Sequence, residues 1–151
     1  MITLEINNQT SVKRLFQKKT LLQLAEKIIQ GEGIEEAVEV SLLFCDDAFM
    51  EELNHQYRNL EATTDVLSFP QGTPPRPVER RMLGDIVISM DVVEERCKGR
   101  RDDMRKEICL LFCHGMLHLL GHDHENDKKR RIMQEKQAWY LGVPFDAGWL
   151  S

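Results

Sequence analysis

No stretch of the 151-residue sequence reaches the ~18 consecutive apolar residues that a membrane-crossing helix needs. The opening residues Met-Ile-Thr-Leu-Glu-Ile lack the basic and then apolar order of a signal peptide, so a soluble, cytoplasmic protein without a membrane partner is expected. Cysteine pairs at metal-knuckle spacing are absent too. Cys45, Cys97, Cys109 and Cys113 show no Cys-x2-Cys pattern, and in a reducing compartment they read as small core residues and not as disulfides. Excess positive charge is missing: 20 Lys and Arg stand against 25 Asp and Glu, a formal charge of −5. That excludes a generally basic nucleic-acid coat, gives no reason to expect DNA, and confines any RNA contact to a local patch. Basic residues do gather at Lys13, Arg14, Lys18 and Lys19, at Arg76, Arg80 and Arg81, and from Lys98 to Lys106, each group reading as a solvated face. Repeats and low-complexity tracts are lacking. With 42% hydrophobic residues at this length, residues 1–151 make one domain with a real core.

What is present is concentrated. Residues 114–124, His-Gly-Met-Leu-His-Leu-Leu-Gly-His-Asp-His, hold four of the five histidines. His114 and His118 stand at i and i+4, one turn apart on one helical face, so both imidazoles can reach one ion. Gly121 is the residue type that ends a helix in a left-handed turn, and the reversal it permits swings His124 back toward the pair. Three neutral imidazoles suit one Zn2+, and three protein ligands leave a position open for water or substrate. His122 falls in the turn between Gly121 and His124, where a supporting place around the ligands is its best role.

The spacing also matches the metzincin pattern His-Glu-x2-His-x2-Gly-x2-His, but the glutamate is missing. Gly115 stands there instead and cannot take a proton from a metal-bound water, so a zinc peptidase is the lesser reading. On a helical wheel of 100° per residue Cys109 and Cys113 fall roughly opposite His114 and His118, which rejects both thiols as ligands. Glu107 falls between the two histidines in angle but two turns below, too far along the axis to ligate though able to orient a neighbour or water.

Along the chain, Ile2, Leu4 and Ile6 alternate with polar residues as a half-buried strand. A helix follows from a cap at Thr20, with Leu21, Leu24, Ala25, Ile28 and Ile29 on one stripe, ended by Gly31 and Gly33. Val38–Cys45 is a second, interior strand. Asp46 or Asp47 caps a helix carrying Phe49, Met50, Leu53 and Tyr57. Thr64–Pro70 holds a short third strand, residues 70–82 with four of the five prolines form a long loop, and Leu83–Ser89 is the fourth strand with Asp85 just inside it. Residues 102–120 form a central helix, apolar nearly all round and so buried on most sides. Asn126 or Asp127 opens a last helix with Ile132, Met133, Ala138 and Leu141, closed by Gly142 and Pro144. The order predicts an α+β domain: a mixed four-stranded sheet packed with about five helices, the metal site at the C-terminal end of the central helix.

Three strings together, His114-Gly-x-Leu-His-Leu-x-Gly-x-Asp-His124, Leu53-Asn-x2-Tyr-Arg58 with Thr64-Asp-Val-Leu-Ser-Phe-Pro70, and Gly84-Asp-Ile-Val-Ile-Ser89, resemble the YbeY family of bacterial zinc-dependent endoribonucleases over most of residues 38–142. The histidine motif is highly specific, the Thr-Asp-Val-Leu-Ser-Phe string nearly so, and the Gly-Asp-Ile string weak by itself. The resemblance implies a four-stranded sheet with surrounding helices and zinc on His114, His118 and His124. It also implies single-stranded RNA as substrate, ribosomal RNA maturation chiefly at the small-subunit 3′ end, ribosome quality control, and ribosome or small-subunit proteins as partners. Arg58 matches the family's functional arginine. His122 stands where the family commonly has tyrosine, which puts the rim of the site in question.

A zinc ion with an open position can polarise a phosphoryl oxygen or lower the pKa of a bound water toward ~7. Arg58 would face the phosphate with its planar fork of donors. Arg58 and Asp85 are the candidate catalytic residues, and the general base stays open among Asp85, Glu107, Asp123 and metal-bound hydroxide. A ribosome-associated assembly factor with a purely structural zinc is the competing class; a structural ion normally has four protein ligands, so the open position beside Arg58 separates the two. Because the helical wheel turns Cys113 away from the ion, Cys113→Ser is expected to lower stability by about 1–3 kcal/mol, a hydroxyl left in an apolar core, and to leave metal content unchanged. Zinc analysis beside a thermal melt checks this, and loss of zinc at an unchanged melting temperature would refute the facing argument.

Overall fold

The computed structural model describes residues 1–10, 16–58, 65–72, 74–76 and 78–148, with the side chain of Arg58 outside the described part. Four strands, β1 (Ile2–Asn8), β2 (Ala37–Cys45), β3 (Val66–Pro70) and β4 (Arg80–Ser89), lie in the order β1-β2-β4-β3. β1, β2 and β4 run parallel and β3 is antiparallel to β4, so the sheet is mixed, as expected. Five helices surround it: α1 (Lys18–Gly31), α2 (Asp47–Arg58), α3 (Met90–Cys97), α4 (Arg101–Leu119) and α5 (Asp127–Leu141), followed by a 3-10 turn at Phe145–Ala147.

Toward their C-terminal ends both faces of the interior strands are covered, which is why Leu42–Cys45 of β2 and Ile86–Ile88 of β4 are continuous apolar runs. On one face Val40, Leu42, Phe44, Ile86 and Ile88 join Leu21, Ile28 and Ile29 of α1 and Ile108, Leu111, Phe112 and Met116 of α4 in the main core. On the other, Leu67, Val87 and Met50 form a smaller cluster under α2, with Leu43, Phe49, Leu53 and Phe69 at its edge. Burial of each large aliphatic or aromatic side chain of α4 contributes roughly 1.5–3 kcal/mol, so this helix is the largest single element of the core. It lies flush on the sheet: a Cβ at Gly115 would sit 2.8 Å from Cγ2 of Ile86.

Four local expectations change. Helix α1 begins at Lys18 behind Gln17, so Thr20 lies inside its first turn and does not cap it. The 70–82 loop is shorter than its prolines suggest, because Arg80–Met82 extend β4 beside Ala37–Glu39, where Arg80 meets Glu39 at 2.8 Å. Helix α3 is an additional element. Ser89 is at once the last residue of β4 and the cap of α3, its Oγ accepting from the Val92 amide at 3.4 Å, so no loop separates strand from helix. Glu107 does not serve the histidines; it accepts from Arg96 of α3 at 2.6 Å, and Arg96 also donates to Asp65 at 3.0 Å. Asp46 caps α2 through the Phe49 amide, Asn126 caps α5 through the Lys129 amide, and Gly142 closes α5 in the left-handed conformation.

Glu32, just past α1, ties the helices around α4 together. Its carboxylate accepts from Lys136 at 2.8 Å and from the hydroxyl of Tyr140, both on α5, and bonds His122 in the turn after α4. Burial opposes its ionisation, yet the bonds from Lys136, Tyr140 and His122 outweigh that cost and bring its pKa from 4.5 to about 2. A carboxylate whose folded pKa lies below its unfolded value stabilises fully above the unfolded value and loses that contribution as the pH falls toward the folded one. Stability should therefore drop between pH 4.5 and about 2. Glu32→Gln is expected to remove roughly 2 kcal/mol at neutral pH and to flatten this acid limb. Urea unfolding across that pH range checks it; an acid limb as steep in the variant as in the wild type would show that Glu32 is not its source.

Candidate metal centre

The last two turns of α4 carry His114 and His118, and the helix ends on the expected glycine. Gly121 has a φ of 99° with open space where a Cβ would stand, so backbone conformation and not room requires glycine here. The His122 amide donates to the Leu117 carbonyl at 3.0 Å and the Gly121 amide to the His118 carbonyl at 3.0 Å, a Schellman pair that reverses the chain. The reversal delivers His124. One ring nitrogen from each of His114, His118 and His124 lies within 4.8 Å of the others. The Nε2 atoms of His114 and His118 are 3.0 Å apart, and the ring of His124 centres 5.6 Å from that of His114 and 5.3 Å from that of His118.

Burial grades across the three, from His114 (4% exposed) through half-buried His118 to exposed His124, so the cluster opens to solvent on one side. Burial pushes the pKa of His114 down from 6.5 to about 4, with the imidazole of His118 adding to the shift and the bond to Gln137 opposing it. At neutral pH the ring is uncharged, the state a ligand needs. Nδ1 of His114 is 2.8 Å from Oε1 of Gln137, whose Nε2 donates to the Gly148 carbonyl at 2.7 Å. Three convergent nitrogens with one side open fit a metal ion of borderline softness.

His122 turns to Glu32 at 2.5 Å, bracing the turn from outside the cluster. Cys113 is fully buried in the main core, where burial raises its thiol pKa to about 12, and Cys109 packs beside it; neither belongs to the cluster. Asp123 precedes His124, accepts from the Glu125 amide at 3.2 Å and faces Lys129, contacts that hold its carboxyl below the usual range.

Asp85 is not brought to the histidines. It pairs in register with Ser41 and Phe69, and it shares a strand face with Val87 under α2, while its neighbours Ile86 and Ile88 face α4. It lines a groove of about 440 Å³ with Tyr57, Phe69 and Gln71, across the sheet from the metal centre. The side chain of Arg58 lies outside the described residues; its backbone ends α2. Tyr57 beside it is 61% exposed and meets Phe69 edge to face. Sequence reasoning missed Gln137, which is fully buried, and Glu32, which is half-buried; nothing in the local pattern announces the partners that enclose either. The Gly115 position faces Ile86 of β4, so a side chain there would enter the sheet and not the site, which removes the geometric basis of the peptidase reading.

An α+β domain whose central helix and the turn after it present three histidines able to hold a metal ion is the class that fold and site define. The chain belongs to the endoribonuclease YbeY family, whose model matches residues 5–142. It is 42% identical over 125 residues to the endoribonuclease YbeY of Pelotomaculum thermopropionicum, covering 81% of this chain and 82% of that one. To the endoribonuclease YbeY of Clostridioides difficile it is 40% identical over 129 residues, covering 79% and 84%. The solution structure of TM1509 from Thermotoga maritima matches at a TM-score of 0.57 and 30% identity, covering 97% of this chain and 89% of that one.

Removing one of three ligands from an open site typically abolishes tight binding, because the two left cannot satisfy the ion. His118→Ala and His124→Ala are each expected to lower bound zinc well below stoichiometry after loading, and His122→Ala to retain it. Elemental analysis of the purified variants decides; stoichiometric zinc in the His118 and His124 variants would overturn the site.

Proposed function

We propose that the chain is a zinc-dependent endoribonuclease that cuts single-stranded RNA, with one Zn2+ on His114, His118 and His124. The observation that carries this reading is the convergence of those three imidazoles in a family named for endoribonuclease activity. The resemblance read in the sequence motifs extends the proposal to maturation of the small-subunit ribosomal RNA 3′ end and to ribosome quality control. Ribosome-associated proteins are then partners, and residues 1–151 work in the cytoplasm as one hydrolase domain. No helix among the described residues is long and apolar enough to cross a membrane, in keeping with that setting.

When bound, zinc would supply Lewis acidity toward a phosphoryl oxygen and a water of lowered pKa. The protein's own residues do the rest. His114, buried and neutral, anchors the inner side of the site, while exposed His124 forms the edge over which a flexible strand can approach. Arg58 binds the phosphate, because a guanidinium cannot ligate zinc and its planar donors match an anion whose charge grows in the transition state. Asp123 adjoins the cluster and stays ionised, so it serves as a hydrogen-bond acceptor at the rim. Asp85, across the sheet, leaves the reacting set.

Arg58→Ala should keep fold and zinc yet lose RNA cleavage by about a hundredfold or more, the usual effect of removing one well-placed charged donor. Arg58→Lys should fall between, since it restores charge without the fork. Single-turnover cleavage of a single-stranded RNA, with zinc measured on the same samples, tests this. Unchanged cleavage by Arg58→Ala removes the arginine from the mechanism, and no metal-dependent cleavage by the wild type rejects the enzyme.

A further inference from the structure

Gln137 of α5 is completely buried, and no part of the proposed reaction employs it. Its two ends are nonetheless both committed. Nε2 stands 2.7 Å from the Gly148 carbonyl oxygen, and Oε1 stands 2.8 Å from Nδ1 of His114. A backbone carbonyl only accepts, so the amide nitrogen has to face Gly148 and the amide oxygen has to face His114. An amide oxygen also only accepts, so the single proton of the neutral imidazole has to sit on Nδ1. Nε2 of His114 is thereby the unprotonated, accepting nitrogen, and it is this atom that lies 3.0 Å from Nε2 of His118. The opposite tautomer would set the lone pair of Nδ1 against that of the amide oxygen at a buried contact.

We propose that Gln137 is a positioning residue of the metal centre: it locks His114 in the Nδ1–H tautomer and aims Nε2 at the ion, and the Gly148 carbonyl in turn fixes which end of Gln137 faces the ring. This rests on the reading of the three histidines as the ligand set. It makes the C-terminal turn a working part of the site. Gly148 is required for the approach, since a Cβ there would lie 2.7 Å from Cβ of Ala138 and 2.8 Å from its backbone nitrogen. A neutral amide is also the only acid-or-amide choice that satisfies both neighbours, because a glutamate would accept from His114 but turn an acceptor toward Gly148.

Two readouts on the full chain test the proposal. Long-range proton–nitrogen correlation spectra of the metal-free protein at neutral pH report the histidine tautomers, and titration with Zn2+ against a chromogenic chelator reports affinity. The wild type should show His114 protonated on Nδ1. Gln137→Leu should lose that preference and bind Zn2+ about 10–100-fold more weakly, the usual effect of removing a hydrogen-bond partner behind a ligand. Gln137→Glu should restore the tautomer, as any acceptor would, and Gly148→Ala should weaken both readouts partway. His114 protonated on Nε2 in the wild type, or unchanged tautomer and affinity in Gln137→Leu, overturns the lock. Should Gln137→Leu fail to fold, Gln137→Glu decides, an Nε2–H tautomer there counting against the proposal. A wild type that shows Nδ1–H but binds no Zn2+ would instead sink the ligand-set reading and leave the tautomer lock standing.

Discussion

Helix α4 rests closely on the sheet, and the absence of a side chain at Gly115 is what lets its backbone approach Ile86 of β4. Everything about the metal centre is referred to that seating. With the helix flush on β4, residues one position to either side are enclosed, which buries His114 and removes its charge, while His118 one turn later reaches the edge of the core. A Cβ at position 115 would have to displace Ile86 from a well-packed interior, where even a methyl-sized intrusion commonly costs about 1–3 kcal/mol. The residue that a metallopeptidase uses as its base is here the contact that positions the helix.

The seated helix then needs its last turn and the following residues held in place, and two polar groups from outside α4, half-buried Glu32 and fully buried Gln137, do this. Glu32 after α1 gathers Lys136, Tyr140 and His122, so the turn that carries His124 is braced against both flanking helices. Gln137 of α5 reaches the inner histidine from behind. Neither Glu32 nor Gln137 lies on α4, and both are distant in the chain from the histidines they contact. Buried polar groups satisfied in this way define one arrangement of the ligands, because any other leaves a donor or acceptor without a partner in a dry interior. A third junction, Arg96 between Asp65 and Glu107, fixes α3 and the start of β3 against α4 by the same logic.

Elements with a strong period were legible in the sequence. The stripe Leu21, Ala25, Ile28 and Ile29, the alternation of Ile2, Leu4 and Ile6, and the continuous apolar face of α4 appear where their spacing places them, because burial of one face is what period encodes. Helix α3 was not legible, since Ser89 ends a strand and caps a helix in the same residue and leaves no turn signal between them. Asp85 shows a different limit. An interior strand packed on both faces is apolar on both, so alternation along Leu83–Ser89 states that Asp85 and Ile86 point apart but not which of them meets α4.

The sequence by itself determined the ligand set's local geometry. Two histidines a turn apart and a glycine that reverses the chain are consequences of helical pitch and of the left-handed conformation, which need no partner to operate. It could not determine what holds that geometry, because a hydrogen bond between residues 23 apart, such as His114 with Gln137, or 90 apart, such as His122 with Glu32, exists only once helices have packed. Tertiary structure alone decided that Gln137, one polar residue in a charged helix, is fully buried, and that Asp85 stands on the far side of the sheet from the site. Pitch and turn chemistry are properties of neighbouring residues, whereas burial and facing depend on which other segment arrives to cover them.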